Sequence, residues 1–169
     1  WMQGKALSGG DRIFIELSKR WSEKLDISIF LSKEGTYICS REGLNLINRR
    51  VWTSDIFSGH YIIDGVYRTI IGIFKALCMR TYQGDIVLSS SDFLPDAIPA
   101  FILKLKNPKI KWIASFYLFA PKPWHKKSPY KGKIYLLGLV YWLSQLPAYY
   151  IIKSFADIVF VTSQPDIKP

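Results

Sequence analysis

Three short runs rich in β-branched and aromatic residues, DIVLSSSD (85–92), KWIASFYLF (111–119) and ADIVFVTS (156–163), alternate with helix-length segments. This alternation restricts the fold more than any other feature. Strands separated by helices pair in parallel and place the helices on the faces of the sheet. The first half follows the same rule. Ile13, Leu17 and Trp21 recur every fourth residue with Phe14 and Leu25 beside them, and the charges fall elsewhere, so an amphipathic helix is predicted from Gly9 to Trp21. Ser8-Gly9-Gly10-Asp11 fits a capping box with Asp11 in place of the usual Glu. DISIFLS (26–32) reads as a strand and Thr36 to Cys39 as a short second one, while 41–59 is polar and gives no assignment. Helices are predicted over 61–82, over 95–106 behind two prolines, and over the uncharged run 134–152.

The expected architecture is therefore α/β: a Rossmann-like three-layer αβα domain with a mainly parallel sheet, in a single unit spanning 1–169. Nearly half of the residues are apolar, enough for one core and too many for a disordered chain. In open α/β sheets ligands bind outside the carboxyl ends of the strands. Gly9 and Gly10, Ser32–Gly35, Ser89–Asp92, Tyr117–Trp124 and Ser163 fall on that edge. A glycine turn of this kind joins a strand to its helix, and no apolar strand precedes it, so one is expected upstream of Trp1. The chain opens on Trp1-Met2 and stops at Pro169 after a strand and a turn, which predicts a piece of a larger protein.

The net charge of +10 is unevenly distributed. Between 97 and 156 there is no Asp or Glu but ten lysines, whereas the remaining 13 basic residues balance 13 acidic ones. A field of this sign favours an anionic partner such as phosphate, nucleic acid or an acidic membrane. Cys39 and Cys78 fit no zinc or C-x-x-C spacing. They read as reduced thiols, and with no signal-peptide pattern the expectation is cytoplasmic, peripheral on the inner face of a membrane.

In order and pattern the elements resemble the N-terminal domain of GT-B glycosyltransferases of the family 4 type. The pieces that carry the likeness are the GG-helix ending in IELSKRW, the strand DISIFLS, the strand-turn-helix DIVLSSSDFLPDAIPAFILK, the segment KWIASFYLFAPKPW and the closing ADIVFVTSQ. Together they cover most of the chain. The resemblance implies transfer of a sugar from a nucleotide-sugar to a lipid-linked or saccharide acceptor. It also implies a donor-binding second domain outside this sequence, which leaves this part inactive by itself. Gly9 and Gly10 would turn toward the donor diphosphate, because residues without Cβ let the backbone approach a phosphate and a helix start presents free amides. An anion there gains ~0.3–1 kcal/mol when exposed and ~2 when partly buried.

Relatives of this type often carry a His after the strand that corresponds to KWIASFYLF. Here Tyr117 occupies that slot, and His125 further along the loop is its possible substitute. Asp92 either binds an acceptor hydroxyl or caps the following helix. Ser163 would face the interdomain cleft. Glu34 and Glu42 repeat the E-x7-E spacing that the family uses in its second domain, and in this domain they are assigned no role. No D-x-D motif is present, so neither metal nor cofactor is expected.

The uncharged run 134–152 is nearly long enough to cross a bilayer core of ~30 Å. Pro147 and Gln145 argue against a span, and a sheet-covering helix can be apolar all round. Between those readings lies interfacial contact, with Lys122, Trp124, Lys126 and Lys127 facing an acceptor or an anionic membrane. Two other classes compete. A dinucleotide-binding oxidoreductase needs G-x-G-x-x-G, and this chain has only GG, although Glu34 stands near the place of a ribose-binding acid. A nucleic-acid module would use the lysines on phosphates, yet no arginine lies between Lys104 and Lys133 to read bases, so no nucleic acid is expected as partner.

Overall fold

Ser8 starts the first helix by the capping box that its sequence predicts. The computed structural model describes residues 7–44, 49–51 and 60–162. In α1 (Gly9–Ser22) the Asp11 amide donates to Ser8 Oγ at 3.1 Å, and the Ser8 amide donates to Asp11 Oδ2 at 3.0 Å. The buried side of α1 carries Ile15, which packs with Ile29 and Leu31 of strand β1 (Ile29–Leu31).

The next segment corrects the sequence expectation. Residues 36–39 are not a strand but part of helix α2 (Lys33–Arg41). Ser32 caps it, its Oγ accepting the Gly35 amide at 3.1 Å, and Ile38 and Cys39 are buried in the core that β1 and α1 share. A short β-branched run followed the helical option because the cap preceded it and its apolar residues fell on one helical face. Strand β2 (Arg49–Val51) pairs in parallel with β1.

Helix α3 (Tyr61–Cys78) leads to β3 (Ile86–Ser89), α4 (Leu94–Lys106), β4 (Lys111–Ser115), α5 (Tyr135–Phe155) and β5 (Ile158–Phe160). The parallel order is β3-β4-β5, with Val87 opposite Trp112 and Ile113 opposite Ile158. Among the described residues the strands thus form two parallel sheets, of two and three strands, rather than one continuous sheet. Trp112 and Ala114 of β4 meet Ala97 and Ala100 of α4 and Ile152 of α5, which makes the largest core. Helix α4 crosses α3 where Pro99 lies against Gly72. A Cβ on Gly72 would stand 2.6 Å from Pro99 Cγ, so the close approach of the two helices requires glycine there.

The lysine-rich half does not keep all its charge free. At the amino ends of the strands, Asp157 takes the Trp112 amide at 2.8 Å, Lys104 Nζ at 2.9 Å and Lys111 Nζ at 3.4 Å. The Lys104 ammonium and the Trp112 amide hold the Asp157 carboxyl down to about 2. Lys104 also donates to the carbonyls of Pro108 and Ile110. Lys106 donates to those of Ala76, Leu77 and Met79, closing the carboxyl end of α3. Three of the ten lysines, Lys104, Lys106 and Lys111, are therefore tied into the fold. Their ammonium groups have found carbonyls and a carboxylate.

Helix α5 also differs from a buried covering helix. Its inward side is Gly138, Gln145, Ala148 and Ile152. Its opposite side, with Leu136, Leu143 and Tyr150, is exposed. Cys39 is buried, Cys78 is exposed, and neither is in a disulfide.

Candidate functional site

A cleft of about 130 Å³ opens where the start of α1 meets the carboxyl ends of β3 and β4. Ser8, Gly10 and Asp11 line one wall, Ser90 to Phe93 the second, and Tyr117 and Tyr141 close it. Binding pockets for whole small molecules run to ~300 Å³ or more, so this volume suits part of a ligand.

Gly10 has a role that its sequence did not disclose. A Cβ there would stand 2.7 Å from Tyr117 Cε2, so the glycine lets the tyrosine ring lie against the helix start. Gly9 has open space around the corresponding position. The Asp11 and Arg12 amides are taken by Ser8 Oγ and Ser8 O. No acceptor among the described residues lies on the Gly9 or Gly10 amide. On the outer side, Gly9 and Arg12 border a shallow groove along α1.

Asp92 is 6% exposed, and its Oδ2 accepts Gln145 Nε2 at 2.6 Å. Burial pushes its carboxyl above the usual carboxylate range, against the pull of the Gln145 amide and with the Asp96 charge adding to the rise. Of the two roles open to Asp92, helix capping is not the one observed. The cap of α4 is Phe93, without a side-chain bond, and Ser90 and Ser91 donate instead to Asp96 at 2.8 and 2.7 Å. Burial raises the Tyr117 phenol too, and the charges of Asp11, Asp96 and Asp92 add to this, so the phenol remains a proton donor. Asp11 and Asp92 thus set two carboxyl groups beside the Tyr117 phenol in a lining that also includes Phe93, Leu118 and Tyr141.

Gln145 is the residue that sequence reasoning missed. Besides Asp92 it binds the Leu118 carbonyl at 2.6 Å and receives the Ala120 amide at 2.6 Å. One buried amide thus fixes the carboxylate and the turn after β4 together. Its only signal was a polar residue within an uncharged helix, read as weakening a membrane span.

Of the residues expected at the site, Gly10, Asp92 and Tyr117 meet in the cleft, whereas Gly9 lines the separate groove on the outer side of α1. His125 does not line the cleft. It lies exposed in the loop, where Nδ1 accepts the Lys127 amide at 3.4 Å. Lys122, Lys126 and Lys127 are exposed in the same loop, and Trp124 stands edge-on to Trp142 of α5 at 5.0 Å between centroids. Ser163 lies outside the described residues. Glu34 pairs with Arg68 at 3.4 Å and Glu42 with Arg41 at 2.9 Å. Among the described residues no three His, Cys, Asp or Glu side chains are grouped to hold a metal ion. Comparison with protein-family models, with curated proteins and with solved structures finds no match to this chain.

Proposed function

We propose that the chain is the acceptor-side, Rossmann-like domain of a GT-B type glycosyltransferase, moving a sugar from a nucleotide-sugar to a lipid-linked or saccharide acceptor. One observation carries this reading: the start of α1 brings Gly10 and Asp11 to Asp92 and Tyr117 at the carboxyl ends of parallel strands. Two carboxylates and a protonated phenol suit the hydroxyl groups of an acceptor, which donate and accept hydrogen bonds. The same carboxylates repel a diphosphate, so the donor belongs on the outer side, at the Gly9 amide and Arg12. There the helix start and a guanidinium favour the negative charge that grows on the leaving group. The small volume of the cleft fits a site completed by a second, donor-binding domain.

The test is transfer of labelled sugar from a panel of nucleotide-sugars to lipid and oligosaccharide fractions, using the product of the complete gene. Asp92→Asn keeps an acceptor oxygen for Gln145 but removes the charge. Turnover is expected to fall about 10- to 100-fold, as loss of a charged hydrogen bond implies. Undiminished transfer by Asp92→Asn, or no transfer from any donor, contradicts the proposal.

A further inference from the structure

Among the described residues no Lys, Arg or His lines the cleft at the start of α1, although the chain carries a net charge of +10. Both carboxyl groups in the lining are more than nine-tenths buried, Asp11 at 8% and Asp92 at 6% exposure. Their partners there are uncharged. Asp11 Oδ2 accepts the Ser8 amide at 3.0 Å and Ser8 Oγ at 2.7 Å, and Asp92 Oδ2 accepts Gln145 Nε2 at 2.6 Å. A carboxylate accepts about four hydrogen bonds, so both keep capacity to accept more. The serine hydroxyls of the lining are already in use as donors. Ser8 gives its proton to Asp11, and Ser90 and Ser91 give theirs to Asp96 at 2.8 and 2.7 Å.

Aromatic rings complete the lining. Phe93 at the cap of α4 and Tyr141 of α5 stand with ring centroids 5.6 Å apart, and Tyr117 lies against Gly10. Rings beside a few fixed polar groups are what a small-molecule pocket presents to its ligand. A pyranose ring matches that pattern. Its C–H groups form an apolar face that packs on aromatic rings, and its hydroxyls project from the rim as donors. A phosphate or carboxylate on the same sugar brings only acceptors, and it sets like charges face to face in a site with little water.

We infer that the cleft takes one sugar residue free of anionic groups, and that Asp92 sets this selection. The inference rests on the reading of the cleft as the acceptor side. It names the part of an acceptor that enters, a sugar without charge, with any phosphate of a lipid-linked acceptor held outside. Asp92 is the selecting group because Asp11 is already taken up by both Ser8 bonds of the α1 capping box. Gln145 holds Asp92 in place. Its amide is fixed in turn by the Leu118 carbonyl and the Ala120 amide, each at 2.6 Å, so the carboxylate does not swing away from an approaching anion.

The test is a heteronuclear NMR titration of the chain with methyl pyranosides of glucose, galactose and mannose. The same sugars phosphorylated at the primary hydroxyl, or oxidised there to the uronic acid, are titrated beside them. Binding is read at the amides of Ser91, Asp92 and Leu118. A neutral pyranoside is expected to bind at least about tenfold more tightly than its anionic counterparts, as like charges across an interface imply. Asp92→Asn keeps an oxygen for Gln145 and is expected to bring that ratio within about threefold. Tyr141→Ala weakens the neutral sugar about fivefold through loss of the ring and leaves the ratio unchanged. Three results overturn the inference: an anionic sugar bound as tightly as the neutral one, an unchanged ratio in folded Asp92→Asn, or no pyranoside that moves the cleft amides. The first and third are read on the unaltered chain, so they decide even if a variant fails to fold. Transfer by the product of the complete gene is scored separately. Equal transfer to neutral and phosphorylated sugars overturns the selection and leaves the transferase reading standing, whereas selective binding without transfer from any donor does the reverse.

Discussion

Replacing Gln145 by leucine lowers the stability of the chain by about 3 kcal/mol, read from urea denaturation. The side chain is buried, and it serves three partners at 2.6 Å: Asp92 Oδ2, the Leu118 carbonyl and the Ala120 amide. Leucine fills much the same volume but leaves those polar groups unsatisfied, at ~1–3 kcal/mol each before the structure relaxes. The loss also depends on pH. Burial already raises the Asp92 carboxyl above its reference value of 3.8, and removal of the amide donor raises it further. A native group with a raised pKa holds its proton where the unfolded chain has released it. Stability therefore falls as pH rises from the unfolded value through the native one. The deficit of Gln145→Leu is expected to be larger at neutral than at mildly acidic pH. An equal deficit at both would mean that the Asp92 contact carries little of the effect.

Trp112→Ala should cost about 3–5 kcal/mol, the largest loss expected from any single truncation here. Trp112 is fully buried in the middle strand β4 and packs on Phe101 with ring centroids 6.4 Å apart. Its Nε1 donates to Ser89 Oγ on β3 at 3.0 Å, a bond in which both partners are buried. Alanine opens a cavity between β4 and α4 and leaves that hydroxyl without its donor. Trp112→Phe restores most of the packing but not the bond, and its cost is expected to be about half or less. Trp124→Ala, at an exposed position, should change stability by no more than about 0.5 kcal/mol. Denaturation midpoints of the three variants give the ranking.

The parts of the fold that were legible in the sequence rest on local chemistry. The capping box Ser8–Asp11 closes within three residues, and the runs around Ile86, Trp112 and Ile158 are apolar as parallel strands are, with the middle one buried on both faces from Trp112 to Ser115. The segment from Thr36 to Cys39 was misread because four β-branched and apolar residues fit either period, and the deciding cap, Ser32, lies just before them. Lys104 and Lys106 looked like free positive charge, since the carbonyls that take them come from the 108–110 turn and the end of α3.

The site was half legible for the same reason. Asp92 and Tyr117 followed from their place at strand ends. Gln145 did not, because it reaches Asp92 across 53 residues of sequence. Gly10 was read for its backbone freedom alone, while the ring that makes it necessary belongs to Tyr117. A residue whose partner is distant in sequence carries no local signature.

The most direct measurement follows the backbone amides at the start of α1 by heteronuclear NMR while a nucleoside diphosphate is added to the chain. The account predicts that the Gly9 and Gly10 signals shift on binding, and that Arg12→Ala weakens the titration at least about fivefold, as loss of a charged contact implies. Shifts confined to the lysine loop between Lys122 and Lys133, with the α1 amides unmoved, would contradict it.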